Sequence, residues 1–187
     1  MGNNWKITDT LTKEFADEVP DGQGSIRLST LHRETVSCVI AYFGAADWGR
    51  YWKVSVKAPE KIETRLRRVE LVPSAYPCHK EQDDNYLRIV PGMYPDLLRD
   101  LDTEDDGADK KYLTKEVPGQ WRSLWLDVTV DAELAGGDYA IMIETETEDG
   151  EKETLKADLH VVDASLPPQK ILHTEWFHSD CLADYYH

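Results

Sequence analysis

YWKVSVKAP, residues 51–59, places apolar and polar side chains at alternating positions. Trp52, Val54 and Val56 fall on one face of an extended chain, while Lys53 falls on the other. This period of two predicts a half-buried β-strand. Because antiparallel sheets often have one solvated face, the stretch favours an all-β fold.

The same period returns twice in the second half of the chain. SLWLDVTVD (123–131) predicts a strand with Leu124 and Leu126 inward and Trp125 outward. DYAIMIETETEDGEKETLKADLHVVD (138–163) predicts a long hairpin, since two alternating arms flank Asp149-Gly150, a pair that supplies the positive φ angles of tight turns.

Shorter segments complete the pattern. YPDLLRDL (94–101) predicts a single helical turn. Seven or more short strands between Gly, Pro and Asp turns predict an antiparallel β-sandwich of immunoglobulin-like or galactose-binding-like architecture. The weaker strand segments are SIRLST (25–30), TVSCVIAYF (35–43), TRLRRVELVP (64–73) and NYLRIV (85–90).

A change of character near residue 165 divides the chain. ASLPPQK (164–170) contains two consecutive prolines, which favour a stiff extended connector and cannot continue a sheet ladder. We therefore predict a sandwich domain over residues 1–165 and a separate segment over residues 166–187.

Composition narrows the classes of function. The 187 residues carry 21 Lys plus Arg against 36 Asp plus Glu, a net charge of −15, which disfavours nucleic-acid binding. No stretch approaches the roughly 20 apolar residues of a membrane span, and the amino terminus lacks the features of a secretory signal, so we expect a cytoplasmic protein. Cys38, Cys78 and Cys181 are widely spaced, which predicts reduced thiols.

The acidic stretch LDTEDDGADKKYL (101–113) resembles half of a calcium loop. Asp102, Glu104 and Asp106 alternate before Gly107, but the twelfth position holds Leu113 where such loops carry a bidentate Glu. A solvated loop is the favoured interpretation, and we expect no metal and no cofactor.

Three tryptophans are candidates for stacking on sugar rings. Trp48, Trp121 and Trp125 lie in or beside loops or on strand positions that the alternation marks as outward. The alternative, which we favour, is that such rings cover the ends of the sandwich or pack against another domain.

The closing segment LHTEWFHSDCLADYYH (172–187) begins like a strand and then loses its alternation. In a (β/α)₈ barrel, functional groups lie at the carboxyl ends of strands. If the segment is a first barrel strand with its loop, it contains candidate substrate-binding residues. The spacing of these residues matches no established metal-binding motif. These residues are Glu175, Trp176, His178 and Asp180.

Three stretches together resemble a known family. PGMYPDLL (91–98), QWRSLWLDVTVDAELAGGDYAIMIE (120–144) and LPPQKILHTEWFHSDCLADYYH (166–187) are similar to the amino-terminal β-sandwich and first barrel strand of bacterial proteins related to glycoside hydrolase family 123. The resemblance implies a parent enzyme that removes N-acetylgalactosamine by a substrate-assisted mechanism. Its catalytic Asp-Glu pair lies on a later barrel strand, for which this chain has no matching position.

The resemblance therefore implies a non-catalytic module. We expect the sandwich to pack on the (β/α)₈ barrel of the same parent chain and to help complete a carbohydrate-binding cleft. A free-standing carbohydrate-binding module that uses exposed aromatic rings is the alternative. Less expected is an enzyme in its own right, with Glu175, His178 and Asp180 as its acid, base and orienting groups.

Overall fold

The computed structural model describes residues 5–44, 50–78, 86–105, 110–168, 170–172 and 174. Within these residues the regular structure consists of β-strands, with no helix. None of the described residues forms a helix that is long and apolar enough to cross a bilayer. The strands are β1 (Trp5–Thr8), β2 (Ser25–His32), β3 (Thr35–Phe43), β4 (Tyr51–Lys57), β5 (Ile62–Ser74), β6 (Gly92–Asp100), β7 (Asp102–Asp105), β8 (Lys110–Lys115), β9 (Trp121–Val130), β10 (Gly137–Thr147) and β11 (Lys152–Ser165).

The strands form two sheets that pack face to face. The first sheet has the order β1-β3-β9-β5-β6, and each neighbouring pair is antiparallel. The second has the order β2-β11-β10-β4-β8-β7 and is antiparallel except for the parallel pair β2 and β11. The all-β sandwich expected from the sequence is confirmed for the described residues.

The core fills the space between the inner faces of the sheets. Leu124, Leu126 and Val128 of β9 are fully buried, as are Ile141 and Ile143 of β10. Alternation in the sequence therefore identified the inward side chains correctly. The two half-buried surfaces become one core because each sheet removes the other's apolar face from water.

An aromatic cluster closes one part of this core. The ring of Trp5 stacks on Tyr42 at 4.8 Å between centroids and meets Trp52 edge-on at 5.0 Å. The Trp52 indole N–H donates a 2.5 Å hydrogen bond to Glu116, whose side chain is buried. Stacked and edge-on contacts of this kind are electrostatically favourable for aromatic rings. The Glu116 carboxylate provides the acceptor that the buried indole N–H requires.

The predicted hairpin exists as β10 and β11, joined by residues 148–151. Only Gly150 of the predicted Asp149-Gly150 pair has a positive φ angle, at 80°. Thr147 organises the turn: its N–H donates to Glu151 O at 2.9 Å, and its hydroxyl accepts from Glu151 N at 3.0 Å.

Two sequence predictions are wrong in the region of β6. Residues 94–101 were expected to form a helical turn, but β6 is an edge strand that pairs with β5. Pro95 is tolerated there because it lies at a register shift, where Leu71 pairs with Pro95 while Glu70 pairs with Leu97. Residues 86–90, expected as a strand, form irregular structure before β6.

The acidic stretch also differs from its expected form. Asp102–Asp105 and Lys110–Lys115 are the paired strands β7 and β8 rather than one loop. Glu104 of β7 forms a 2.8 Å ion pair with Lys53 of β4, which lies on the other side of β8. The Glu104 carboxylate, which the sequence pattern suggested as a possible calcium ligand, is therefore paired with a lysine instead.

The end of β11 coincides with the predicted domain boundary at residue 165. Leu166 N donates to His32 O at 3.0 Å, which continues the parallel pairing with β2. Beyond it, Ile171 and Leu172 are exposed. The domain division itself and the barrel-strand interpretation of residues 166–187 stay predictions.

Candidate functional site

The candidate stacking residues occupy different environments. Trp121 is only 8% exposed, so its ring is not accessible for stacking on a sugar in this structure. Its ring lies 5.4 Å from that of Phe43, and its backbone N–H donates to Ala16 O at 2.9 Å. The residue does point away from the inner core, but residues 9–22 lie across that outer face and cover it.

Five other candidates fall outside the described residues. They are Trp48, Glu175, Trp176, His178 and Asp180. Their proposed roles stay predictions.

Trp125 is half-buried on the outer face of the first sheet and is held in one orientation. Its indole N–H donates to Asp127 at 2.8 Å. The same carboxylate accepts from the Ser37 hydroxyl at 2.8 Å and pairs with Arg67 at 2.5 Å. Because Asp127 is itself anchored by two neighbours, the indole plane is fixed before anything binds to it.

A pocket of about 290 Å³ lies beside Trp125, between the outer face of the first sheet and residues 9–22. We call it the Trp125 pocket. Strand residues supply an apolar floor and the Ser123 side chain, while residues before β2 supply further polar groups. The residues that matter for its chemistry are Lys13, Glu14, Val39, Val69, Ser123 and Trp125.

Two polar groups of the pocket are buried and incompletely paired. Glu14 is 7% exposed, and among the described residues no ion pair includes its carboxylate. Burial raises the pKa of Glu14 above its usual value, and the nearby Thr8 hydroxyl partly opposes the rise. Ser123 is 3% exposed, and its Oγ has no hydrogen-bond partner among the described residues.

The rim of the pocket carries charge that is already paired. Lys13 Nζ donates to Pro95 O at 2.8 Å and lies 3.4 Å from Asp96. These contacts connect residues 9–22 to β6 and hold the outer wall of the pocket in place.

Arg88 fastens residues 9–22 at a second point. Its guanidinium pairs with both Asp17 and Glu18 and lies 3.8 Å from the centre of the Phe15 ring. The pairing lowers the pKa of Asp17. Phe15 in turn meets Tyr94 edge-on at 5.5 Å, so the segment is packed as well as charge-paired.

A second feature is an exposed apolar area at the end of the β5–β6 hairpin, which we call the tip surface. Its members lie at one end of the hairpin, since β5 and β6 pair up to Ser74 and Gly92 and Tyr94 Oη donates to Val90 O at 2.6 Å. Val72 and Met93 lie on opposite faces of this end, because Val72 pairs with Tyr94 and Met93 with Pro73. Exposure ranges from 37% for Val72 to 70% for Tyr76. The tip surface consists of Val72, Tyr76, Leu87, Ile89, Val90 and Met93.

Sequence reasoning missed the tip surface, although a signal was present. The apolar residues of NYLRIV were interpreted as a strand with one buried face. Leu87, Ile89 and Val90 are all more than half exposed. A run of apolar residues whose side chains are not buried in a sheet and remain exposed to solvent is typical of an interaction surface.

The described cysteines are free, and Cys38 is unsuited to nucleophilic chemistry. It is fully buried in β3, and burial raises the pKa of its thiol to about 12. Cys78 is partly exposed and lies near Ile89 O. Cys181 falls outside the described residues.

Within the part of the chain that the structure describes, no cluster of His, Cys, Asp and Glu side chains is arranged to hold a metal ion. Asp102 and Glu104 are described and lie on β7, while Asp106 and Gly107 of the half calcium motif fall outside the described residues.

Comparison with known proteins shows a likeness of fold. No protein-family sequence model matches the chain, and no curated protein sequence matches it. A family 123 glycoside hydrolase from Clostridium perfringens is similar in structure, with a TM-score of 0.60 and 10% identity over 87% of this chain. The match covers 28% of that hydrolase, so this chain spans under a third of its length.

Two further solved structures are more distant. The N-terminal domain of PorA matches with a TM-score of 0.41 and 8% identity, over 86% of this chain and 99% of that domain. The collagen-binding subdomain ACE19 of an Enterococcus faecalis surface protein matches with a TM-score of 0.41 and 6% identity, over 73% and 93%. Together with the sheet topology, the likeness to the hydrolase supports a glycoside hydrolase family 123-like β-sandwich fold.

Proposed function

We propose that this chain is a non-catalytic β-sandwich module of a glycoside hydrolase and packs against a (β/α)₈ barrel in the same polypeptide. The similarity in fold to a hydrolase more than three times longer supports a modular role. The described residues form a sandwich and contain no barrel of alternating strands and helices. In this proposal the candidates Glu175, Trp176, His178 and Asp180 stand at the rim of the barrel's cleft.

The tip surface is the observation that carries the proposal. Six large apolar side chains, each at least 37% exposed, lie at one end of a hairpin. Exposed apolar groups cost free energy in water, and soluble proteins rarely cluster them without a partner. Ion pairs cover much of the second sheet's outer face, such as Lys57 with Glu144 and Lys156 with Asp158, so that face suits solvent.

Hydrogen exchange tests the proposal on the natural polypeptide that carries these residues. We expect amides of residues 86–94 to exchange more slowly in that polypeptide than in the isolated 187-residue chain. Amides of residues 152–160 serve as the internal control, because their solvated face should exchange alike in both. Equal exchange at residues 86–94 in both proteins would contradict the docking role.

A pair of variants makes the test specific. Leu87→Asp combined with Ile89→Asp should leave the stability of the isolated chain within about 0.5 kcal/mol, since both side chains are already in water. In the natural polypeptide the same pair should restore fast exchange at residues 86–94. Leu11→Asp, which alters a side chain that is 91% exposed and lies outside the tip surface, is the matched control.

The alternative function, a carbohydrate-binding module that uses three exposed tryptophan rings, is weakened because one of these rings, that of Trp121, is not exposed. Trp121 is buried, so a flat platform of several tryptophans is not formed by Trp121 and Trp125. Trp125 is a single fixed ring beside a pocket rather than a part of an open stacking surface.

A further inference from the structure

The Trp125 pocket combines the groups that recognise a small ring-shaped ligand. The indole of Trp125 is one wall, and its orientation is fixed through Asp127. Ser123 and Glu14 are both buried, and Ser123 Oγ lacks a partner among the described residues. A buried hydroxyl without a partner is uncommon in proteins, because it has given up water without receiving another hydrogen bond.

Size limits what the pocket can hold. At about 290 Å³ it is just smaller than typical small-molecule sites, whose range begins near 300 Å³. One six-membered ring suits this volume better than an extended chain. Val39 and Val69 provide an apolar floor, so the ligand needs C–H surface as well as polar groups.

The polar groups of the pocket suit a ligand that can both donate and accept hydrogen bonds. The Lys13 ammonium at the rim is already paired with Asp96, so its charge is largely offset. Burial raises the pKa of Glu14, and its carboxyl oxygens can accept hydrogen bonds from a ligand. Hydroxyl groups, which both donate and accept, complement both Glu14 and Ser123.

We infer that the Trp125 pocket binds one ring of a neutral polyhydroxylated ligand, such as a single sugar unit, with a C–H face on the indole and hydroxyls on Glu14 and Ser123. The site lies on the outer face of the first sheet and is separate from the tip surface. The inference therefore does not depend on the docking role proposed above.

Titration of the ¹⁵N-labelled 187-residue chain with D-glucose, D-galactose, D-mannose and D-xylose tests the inference. The indole N–H resonance of Trp125 should shift and saturate with at least one of these sugars. Ser123→Ala should weaken that binding by about tenfold, the effect of losing one well-placed hydrogen bond. Trp125→Ala should abolish it.

Two further variants separate loss of binding from loss of folding. Trp125→Phe keeps a flat ring but lacks the N–H that reaches Asp127, so sugar binding, followed through the Val39 and Val69 amides, should persist in weakened form. Tyr51→Ala removes an exposed ring from the opposite sheet and should bind like the parent chain. If Trp125→Ala unfolds, Trp125→Phe and Ser123→Ala decide the question.

Three outcomes would overturn the inference. One is that none of the four sugars produces a saturable shift of the Trp125 signal. Another is that n-butylammonium chloride produces such a shift and the sugars do not, which would make the pocket a cation site. The third is that Ser123→Ala and Trp125→Ala both bind sugar as the parent chain does.

Discussion

Glu14 shows how a single side chain couples stability to pH. Burial raises its pKa in the folded protein above 4.5, the usual value, which the unfolded chain retains. Above that usual value the unfolded carboxyl ionises more readily than the folded one, so Glu14 lowers stability as pH rises. Below it both states are protonated and the penalty disappears.

We therefore expect Glu14→Gln to be more stable than the parent chain at about pH 7, with the gain shrinking toward about pH 4. Urea denaturation at both pH values measures the difference. Glu60→Gln, at an exposed position, is the control and should show no such pH-dependent gain. A Glu14→Gln advantage that grows as pH falls would show that the sign is wrong.

Two tryptophans of one strand show the limit of sequence patterns for single residues. Trp121 and Trp125 are four positions apart in β9 and therefore face the same side of the sheet. Trp121 is buried because the neighbouring segment covers it, while Trp125 stays half-buried beside a pocket. The odd or even position of a residue along the strand determines which face of the sheet it occupies. Whether that face is covered depends on residues 9–22, which pack over it.

At the scale of elements, the β10–β11 hairpin depends on its turn. Gly150 has a φ angle of 80°, a conformation that residues with a Cβ rarely adopt, whereas its surroundings leave room for a methyl group. The requirement at this position is therefore conformational and not steric.

Gly150→Ala should lower the free energy of unfolding by about 1 kcal/mol. Gly92→Ala is the matched control, because Gly92 also has open space around it but does not have a positive φ angle. Its effect should stay within about 0.5 kcal/mol. Equal losses in both variants, measured by urea denaturation, would contradict the conformational explanation.

At the scale of the whole molecule, the two sheets share one core and should unfold together. Leu126 of the first sheet and Ile143 of the second are both fully buried and belong to the same cluster. Removal of either side chain leaves a cavity between the sheets, which weakens both of them.

Leu126→Ala and Ile143→Ala should each destabilise the protein by about 3 kcal/mol. Far-UV circular dichroism and tryptophan fluorescence should report one coincident transition in each variant. Leu97→Ala, at a side chain that is 50% exposed, should cost less than about 1 kcal/mol. Two separated transitions would show that the sheets are independent units.

The sequence alone was sufficient for the all-β class, the inward faces of β4, β9, β10 and β11, and the hairpin between the last two strands. These features depend on the alternation of neighbouring side chains, which is a local property of an extended chain. The end of β11 at Ser165 also agrees with the position of the Pro-Pro connector.

Only the tertiary structure decided that residues 94–100 belong to an edge strand, that Trp121 is covered, and that residues 86–90 contribute to an exposed surface. The Trp125 pocket likewise depends on contacts between residues far apart in the chain, such as Lys13 with Pro95 across 82 positions. Pairing partners and covering segments determine the environment of each of these residues. Local periodicity contains no information about which distant segment packs against a given residue. These features were therefore not predictable from the sequence by itself.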